Sequence, residues 1–463
     1  MCFLSPYLKH IYVLCSQAAV PVRHHARSWR GDFQKISSVM ILRLPLRHVG
    51  LGLRHLHSLP DISYGHQPSK DEYNAFSPGR TISIRNLPKE YRGPHDVASV
   101  LALLKLNPVE TISPSHFGRG IIINCLDTKR AERSIASYHG TRLSLRLVRT
   151  DRSLAVYVVA AIGYTGLSRS CKIEDIPRGI HEQQIKSILC PQRLGNRRDI
   201  ESWHFDPKAS RLDVRFMCLS QAMDAKENFF RSPILKSAKM SYCDAEESDY
   251  DFPEWYTPEE EHQEKVKRAV VVSNLNGPEK SFPSREWTNE WQRISPTLLF
   301  CGLYPAKDLM HLEFATSTAA QQFVRQFQSR ADELGVGMEI QETQYTVTRS
   351  LITAISLGAS RTLVLTVEGT KSIPEIRQIF MQQGNITQLT CRQREKDTLF
   401  YITFENVSLA LRTVIRMGRI LNEGFPGLAG AIVGFLHAPH LKPVPIRAKA
   451  RAKFNGRAMT RDI

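Results

Sequence analysis

The feature of this sequence that most constrains its fold is a pattern that occurs four times. A short apolar strand pattern begins at Ile82, Cys171, Val270 and Leu363, and these starts lie 89, 99 and 93 residues apart. Each start is followed by a helical pattern, two further strand patterns and a second helical pattern. A period of this length is that of a domain and not of a solenoid unit. The chain is therefore predicted to contain four copies of one domain.

The second half of each copy has nearly constant spacing. The third strand patterns end at Cys125, Phe216, Phe314 and Phe404, which lie 43, 45, 44 and 41 residues after the four starts. Each copy then has an alanine six residues further on, namely Ala131, Ala222, Ala320 and Ala410. A small side chain at a constant position predicts a helix that packs closely on the sheet. The order β-α-β-β-α-β predicts an α+β, ferredoxin-like fold in which helices cover one face of a four-stranded antiparallel sheet.

The repeat positions predict the domain boundaries. The four domains are predicted at 79–150, 168–243, 268–347 and 360–437. They are accompanied by a basic segment at 1–78, an acidic linker at 244–267 and a basic tail at 438–463.

Two strand sequences resemble those of a known family. The stretches "ISIRNLP" at Ile82 and "LFYITFEN" at Leu399 resemble the first and third strands of RNA-recognition motifs. The sequence from about residue 80 to 436 resembles a divergent tandem RNA-recognition-motif protein, similar to fungal mitochondrial RNA-binding proteins. The resemblance implies single-stranded RNA as the partner, bound by stacking of bases on aromatic side chains of the open sheet face. It implies neither a cofactor nor catalysis.

Strand alternation predicts which residues occupy the open faces. These residues are Ser83, Gly120 and Ile122 in repeat one, Lys172, Arg211 and Asp213 in repeat two, Val271, Leu309 and His311 in repeat three, and Val364, Leu399 and Tyr401 in repeat four. Only Tyr401 is a strong stacking residue, and His311 is a weaker one. Cationic side chains are the substitute, because they contact phosphate. The candidate RNA-binding residues are Arg85, Lys172, Arg211, Arg215, His311 and Tyr401.

The open faces of repeats three and four are predicted to be apolar. Val271, Leu309, Val364 and Leu399 would leave an exposed apolar patch, and such patches are usually covered. Three alternatives could cover this patch: the two sheets pack on each other, the linker stretch "LITAISLG" (351–358) packs on them, or a partner protein binds there.

The charge distribution indicates a polyanionic partner and a targeting segment. The net charge is +17, with +7 in residues 1–60, +6 in residues 441–463 and −10 in residues 244–264. Residues 1–60 are rich in arginine and leucine and nearly free of acids, which is typical of a mitochondrial transit peptide. A basic arm of a nuclear or cytoplasmic protein, or a true start at Met40, are the alternatives.

The acidic linker also contains Phe252, Trp255 and Tyr256. It is predicted to be a solvated spacer, or else a segment that occupies a basic repeat surface when RNA is absent.

No catalytic or metal-binding motif stands out, and the nine cysteines contain no CxxC pair. No apolar run is long enough for a membrane-spanning helix. Together with the predicted transit segment, the resemblance implies a non-catalytic RNA-binding protein of the mitochondrial matrix that acts in mRNA processing, stability or translation. The alternative is a protein-interaction scaffold whose domains have lost RNA binding.

Overall fold

The computed structural model describes residues 79–446 apart from several gaps. The gaps are 86, 88–93, 105, 107, 115–119, 139–142, 149–152, 192–199, 244–255, 257–265, 276–296, 334, 344, 346, 419–426, 437 and 439–440. The predicted transit segment, the tail beyond residue 446 and nearly all of the acidic linker therefore lie outside the described residues.

The first two repeats are joined by a helix. Repeat one consists of β1 (Thr81–Arg85), α1 (Pro94–Leu103), β2 (Val109–Pro114), β3 (Gly120–Cys125), α2 (Thr128–Ser137) and β4 (Ser144–Val148). The joining helix is α3 (Val156–Thr165). Repeat two consists of β5 (Ser170–Glu174), α4 (Glu182–Leu189), β6 (Ile200–Asp206), β7 (Arg211–Phe216), α5 (Leu219–Arg231) and β8 (Lys239–Tyr242).

The last two repeats are joined in the same way. Repeat three consists of β9 (Ala269–Ser273), β10 (Leu298–Tyr304), β11 (Leu309–Phe314), α6 (Ser317–Glu333) and β12 (Gly337–Gln341), with a 3-10 turn at Pro305–Lys307. The joining helix is α7 (Arg349–Ser356). Repeat four consists of β13 (Thr362–Glu368), α8 (Ile373–Met381), β14 (Ile386–Gln393), β15 (Asp397–Phe404), α9 (Val407–Met417), β16 (Ile432–Phe435) and β17 (Val444–Pro445).

The strand order confirms the predicted fold. The sheets have the orders β2-β3-β1-β4, β6-β7-β5-β8, β10-β11-β9-β12 and β14-β15-β13-β16-β17. All strand pairs within the sheets are antiparallel. In each case the first and third strands are central and adjacent, as in the ferredoxin-like arrangement. The positions 276–296, where the first helix of repeat three is predicted, fall in a gap.

The helix-covered face of each sheet forms its hydrophobic core. The four alanines selected by spacing are completely buried, which confirms their close packing. In repeat one, Ile82 and Ile84 are also completely buried, whereas Arg85 at the end of the same strand is exposed.

Each second strand carries a β-bulge at its beginning, opposite the end of the third strand. The extra residues are Glu110, Glu201, Leu299 and Thr387. A bulge interrupts the regular alternation of side chains and bends the strand. In repeat three this sends Leu298 into the core of its own repeat, while Leu299 joins the core of repeats two and four.

Repeats two and four share one continuous hydrophobic core, which is built around the two joining helices. Helix α3 packs on α7 and on α9. The contact is close at Gly163, where an added Cβ would lie 2.7 Å from Cβ of Ala354 and 2.7 Å from Cδ1 of Leu411. Tyr256 of the acidic linker is 4% exposed and belongs to this core, so the prediction of a solvated linker is wrong at this residue.

One of the three predicted covers places the joining helix α7 on the open sheet faces. In the structure α7 packs on α3 instead. Its apolar residues Leu351, Ile352 and Ile355 are buried in the shared core because they face α3. Repeat three instead contacts repeat four through the edge of its sheet. The main-chain N–H of Cys301 donates to the carbonyl oxygen of Glu405 at 2.8 Å, and Phe300 forms an antiparallel bridge with Asn406.

Within the described ranges, none of the helices is long and apolar enough to span a membrane.

Candidate nucleic-acid interface

A buried arginine precedes the first strand of every repeat by one residue. These residues are Arg80, Arg169, Arg268 and Arg361, and none is more than 9% exposed. Each guanidinium donates to a main-chain carbonyl at the end of the third strand, over 2.6 to 3.4 Å. The acceptors are Cys125, Phe216, Ala315 and Phe404. This arrangement ties the beginning of the first strand to the end of the third.

In repeats one and two the bulge residue neutralises the buried arginine. Arg80 Nη1 lies 2.7 Å from the Glu110 carboxylate, and Arg169 Nη1 lies 2.6 Å from that of Glu201. Buried guanidinium groups require such partners, because an unpaired buried charge is costly. The sequence reasoning missed these arginines, although they lie two residues before the four strand starts and therefore have the same period.

The open face of repeat one combines hydroxyl groups with two arginines. Ser83 lies opposite Ile122 on one side and Arg146 on the other, so Arg146 and Arg85 are diagonal neighbours on adjacent strands. Both arginines are exposed. None of the described strand residues on this face is acidic, since Glu110 occupies the bulge. Among the described strand residues of this face, no carboxylate lies opposite the two arginines.

Gly120 lies beside Arg85 on the neighbouring strand. A Cβ at this position would lie 2.2 Å from the carbonyl oxygen of Ile84, so only glycine is accommodated. The sheet therefore carries no side chain at this position beside Arg85.

The open face of repeat two is occupied by ion pairs. Lys172 pairs with Glu174, Arg211 pairs with Asp213 at 2.8 Å, and Arg215 lies 3.5 Å from Glu201. The hydrogen bond to Asp213 raises the pKa of Arg211, against a smaller opposite effect of burial. Each of the three predicted phosphate ligands of this repeat thus faces a carboxylate.

The open face of repeat three is aromatic and acidic. The ring of His311 makes an edge contact with Phe300 at 5.9 Å, and its Nε2 lies 2.8 Å from the carboxylate of the buried Glu313. The linker that follows β12 crosses this face, since Tyr345 lies 6.5 Å from Phe300 and Thr343 donates to Glu313. The prediction overlooked Phe300 because it considered only the first and third strands.

The open face of repeat four carries one half-buried tyrosine. Tyr401 lies between Thr390 and Val364, and Gly434 lies beyond Val364 on the next strand. Arg392 is exposed and lies opposite Leu399, so it is a diagonal neighbour of Tyr401. An aromatic ring that can stack on a base thus lies next to a cation that can contact a phosphate group.

The six predicted RNA-binding residues do not form one site. The structure brings Lys172, Arg211 and Arg215 together on one sheet, where they are ion-paired. Arg85, His311 and Tyr401 lie on three different sheets.

No family model matches the sequence. The chain is 22% identical over 380 residues to the meiotically up-regulated gene 24 protein of Schizosaccharomyces pombe. The match covers 75% of this chain and 55% of that protein, so the chain spans about half the length of this relative.

Solved structures with similar folds include a sex-lethal protein–RNA complex, with 12% identity and a TM-score of 0.17, which covers 37% of this chain and 99% of that one. The three N-terminal RNA-binding domains of the yeast splicing factor Prp24 match with 12% identity and a TM-score of 0.18, covering 57% of this chain and 100% of that one. The C. elegans NONO-1 homodimer matches with 13% identity and a TM-score of 0.15, covering 56% of this chain and 92% of that one.

The strand order and the antiparallel registers, rather than these distant matches, establish the fold of each repeat. The chain is a tandem array of four divergent domains with the fold of the RNA-recognition motif.

Proposed function

We propose that this protein binds single-stranded RNA through the open sheet faces of repeats one and four, without catalysing a reaction. The observation that carries the proposal is the pair of exposed arginines, Arg85 and Arg146, on a face whose described strand residues include no acid. Phosphate contacts of this kind supply sequence-independent affinity. Gly120, next to Arg85 on the neighbouring strand, adds no side chain to this face.

Repeat four supplies the stacking contact. Tyr401 is half-buried on the open face, and the exposed Arg392 is its diagonal neighbour. Stacking of a base on an aromatic ring contributes roughly 1–3 kcal/mol. Repeats two and three do not contact RNA in this proposal, because their faces carry paired or acidic groups.

We further propose that the protein acts on mRNA in the mitochondrial matrix, in processing, stability or translation. The arginine-rich and acid-poor composition of residues 1–60 supports this location. Imaging of the tagged full chain beside a variant that lacks residues 1–60 tests the location. A nuclear or cytosolic signal from the full chain would assign it to those compartments instead.

Binding of a labelled single-stranded RNA of mixed sequence, measured at several salt concentrations, tests the RNA interface. Arg85→Gln with Arg146→Gln should weaken binding and reduce the salt slope by about 1.4, since each phosphate contact contributes about 0.7 in single strands. Tyr401→Ala should weaken binding about tenfold, with little change in the salt slope.

The matched control is Arg211→Gln, which should leave RNA affinity unchanged because Asp213 already neutralises Arg211. Equal affinities of the wild type and the double arginine variant would contradict the proposed interface. Absence of crosslinked RNA in cells would favour the alternative function, a protein-interaction scaffold.

A further inference from the structure

Four residues on two neighbouring strands of repeat one form a compact polar cluster on its open face. Ser83 and Arg85 lie on β1, and Arg146 and Ser144 lie directly opposite them on β4. We call these four residues the serine–arginine block. Each arginine has one serine opposite it and the other serine two positions away on its own strand. The two arginines are diagonal neighbours, at a Cα separation of roughly 7–8 Å.

The donor groups of the block are available to a ligand. Arg85, Arg146 and Ser144 are exposed, and neither arginine forms an ion pair within the described part of the chain. Ser83 is 7% exposed, and its hydroxyl group has no hydrogen-bond partner among the described residues. The block therefore offers two guanidinium groups and two hydroxyl groups to an external acceptor.

The same four sheet positions have a different chemistry in the other repeats. They are Lys172, Glu174, Lys239 and Ser241 in repeat two, Val271, Ser273, Gly337 and Glu339 in repeat three, and Val364, Thr366, Ile432 and Gly434 in repeat four. Both lysines of repeat two are ion-paired, Lys172 with Glu174 and Lys239 with Asp175. Repeat one alone combines two cations with two hydroxyl groups and no carboxylate at these positions.

The charge of the block matches the phosphate group at the end of an RNA strand. Two guanidinium groups this close repel each other, and an anion between them removes the repulsion. A terminal phosphate monoester carries a charge of roughly −1.5 to −2 near pH 7 and has three free oxygens. A diester within the strand carries a single negative charge and has two free oxygens. The monoester is the better match in charge and in the number of acceptors.

We propose that the serine–arginine block binds the terminal phosphate group of a single-stranded RNA, an inference that rests on the RNA-binding function proposed above. The arginines occupy opposite corners of the block, so a phosphate above its centre accepts hydrogen bonds from both guanidinium groups. The serines at the other two corners supply hydroxyl donors. Hydrolysis of a phosphodiester bond leaves a phosphate on one of the two new ends. The ligand is therefore a product of RNA cleavage, and hydrolytic cleavage is the class of reaction that supplies it.

The probes are three oligouridine RNAs of equal length that carry a fluorophore on an internal base. One has hydroxyl groups at both ends, one has a 5′-phosphate and one has a 3′-phosphate. Fluorescence anisotropy measures their affinities for the full chain. We expect a phosphorylated RNA to bind about tenfold more tightly than the hydroxyl RNA, because it adds charge-assisted hydrogen bonds. The comparison of the two phosphorylated RNAs identifies the end that is bound.

Variants of the block test whether it causes this preference. Arg85→Gln with Arg146→Gln should abolish it, so that the three RNAs bind with equal affinity. Ser83→Ala with Ser144→Ala keeps both charges and should reduce the preference severalfold, because the hydroxyl donors are lost. The melting temperatures of these variants should match that of the wild type.

The matched control is Lys172→Gln with Lys239→Gln, which removes two cations from the equivalent positions of repeat two and should keep the preference. Equal binding of the three RNAs by the wild type would refute the terminal-phosphate site. If that equal binding still weakened in the double arginine variant, the proposed RNA-binding function would stand. A preference that persists in the double arginine variant would place the phosphate elsewhere and would also refute the site. Failure of all three RNAs to bind would refute both proposals.

Discussion

A terminal guanidinium nitrogen of Arg169 lies 2.6 Å from the carboxylate of Glu201, the bulge residue in the second strand of repeat two. Arg169 is 1% exposed, and the same nitrogen lies 3.4 Å from the carbonyl oxygen of Phe216. One side chain therefore ties together the first strand, the bulge and the end of the third strand.

Arg169→Gln should destabilise repeats two and four by about 1–3 kcal/mol, because the buried carbonyl oxygen of Phe216 loses its side-chain donor and Glu201 keeps only Arg215, at 3.5 Å. Urea unfolding of the full chain measures this change. Arg211→Gln is the matched control, since its ion pair with Asp213 is largely exposed and should contribute little. Similar unfolding midpoints for the two variants would contradict a structural role for the buried arginine.

Gly163→Ala should lower stability, although alanine usually stabilises a helix interior relative to glycine by roughly 0.5–1 kcal/mol. The added methyl group would collide with Ala354 and Leu411 at 2.7 Å each, and overpacking of this kind costs about 1–3 kcal/mol. The free energy of unfolding is again the measurement.

The double variant Gly163→Ala, Ala354→Gly removes one of the two collisions. It should therefore lose less stability than the sum of the single variants. A stabilised Gly163→Ala variant would mean that α3 and α7 are further apart than described.

Asp213→Ser should increase RNA affinity, because it releases Arg211 from its ion pair on the open face of repeat two. The salt slope of RNA binding should steepen by about 0.7, which corresponds to one further phosphate contact in single strands. Addition of Arg211→Gln to this variant should return both quantities to their wild-type values. Unchanged RNA binding by Asp213→Ser would show that repeat two is excluded from RNA by its position and not by its charge.

Lys226 on α5 predicts a pH dependence of stability. Its Nζ lies 3.8 Å from the ring centre of Tyr242, and burial lowers its pKa from 10.5 to about 8, against a smaller opposite effect of Cys171. Between pH 8 and pH 10 the unfolded chain binds this proton and the folded chain does not, so stability rises with pH in this window.

Lys226→Met should remove this rise while it keeps the length of the side chain. The difference in unfolding free energy between the variant and the wild type should decrease by roughly 2 kcal/mol from pH 8 to pH 10. Because other groups titrate equally in both proteins, the comparison isolates Lys226. A constant difference over this range would mean that the ammonium group is hydrated.

The fold was predictable because its signals are local and periodic. Alternation places Ile82 and Ile84 in the core, and the spacing of Ala131, Ala222, Ala320 and Ala410 places the second helix of each repeat on its sheet. The buried arginines were equally accessible to this reasoning, since Arg80, Arg169, Arg268 and Arg361 have the period of the strands.

The candidate sites were less predictable, because their neighbours come from distant parts of the sequence. Arg211 was selected as a free cation, but Asp213 on the same face binds it. Arg146 and Arg85 are 61 positions apart in sequence and become neighbours only through the pairing of β4 with β1. Phe300 and Tyr304 were overlooked because they lie on β10, a second strand, and only the first and third strands were considered.

The sequence by itself determined the four repeats, the order of their elements and the core face of each sheet, because side-chain periodicity expresses these properties within a few residues. Only the tertiary structure decided which charges are neutralised and how the repeats are joined. Helix α7 is amphipathic in any context, but its apolar face was free to pack on a sheet or on another helix. Packing on α3 at Gly163 decided this, and in doing so it gave repeats two and four one common core.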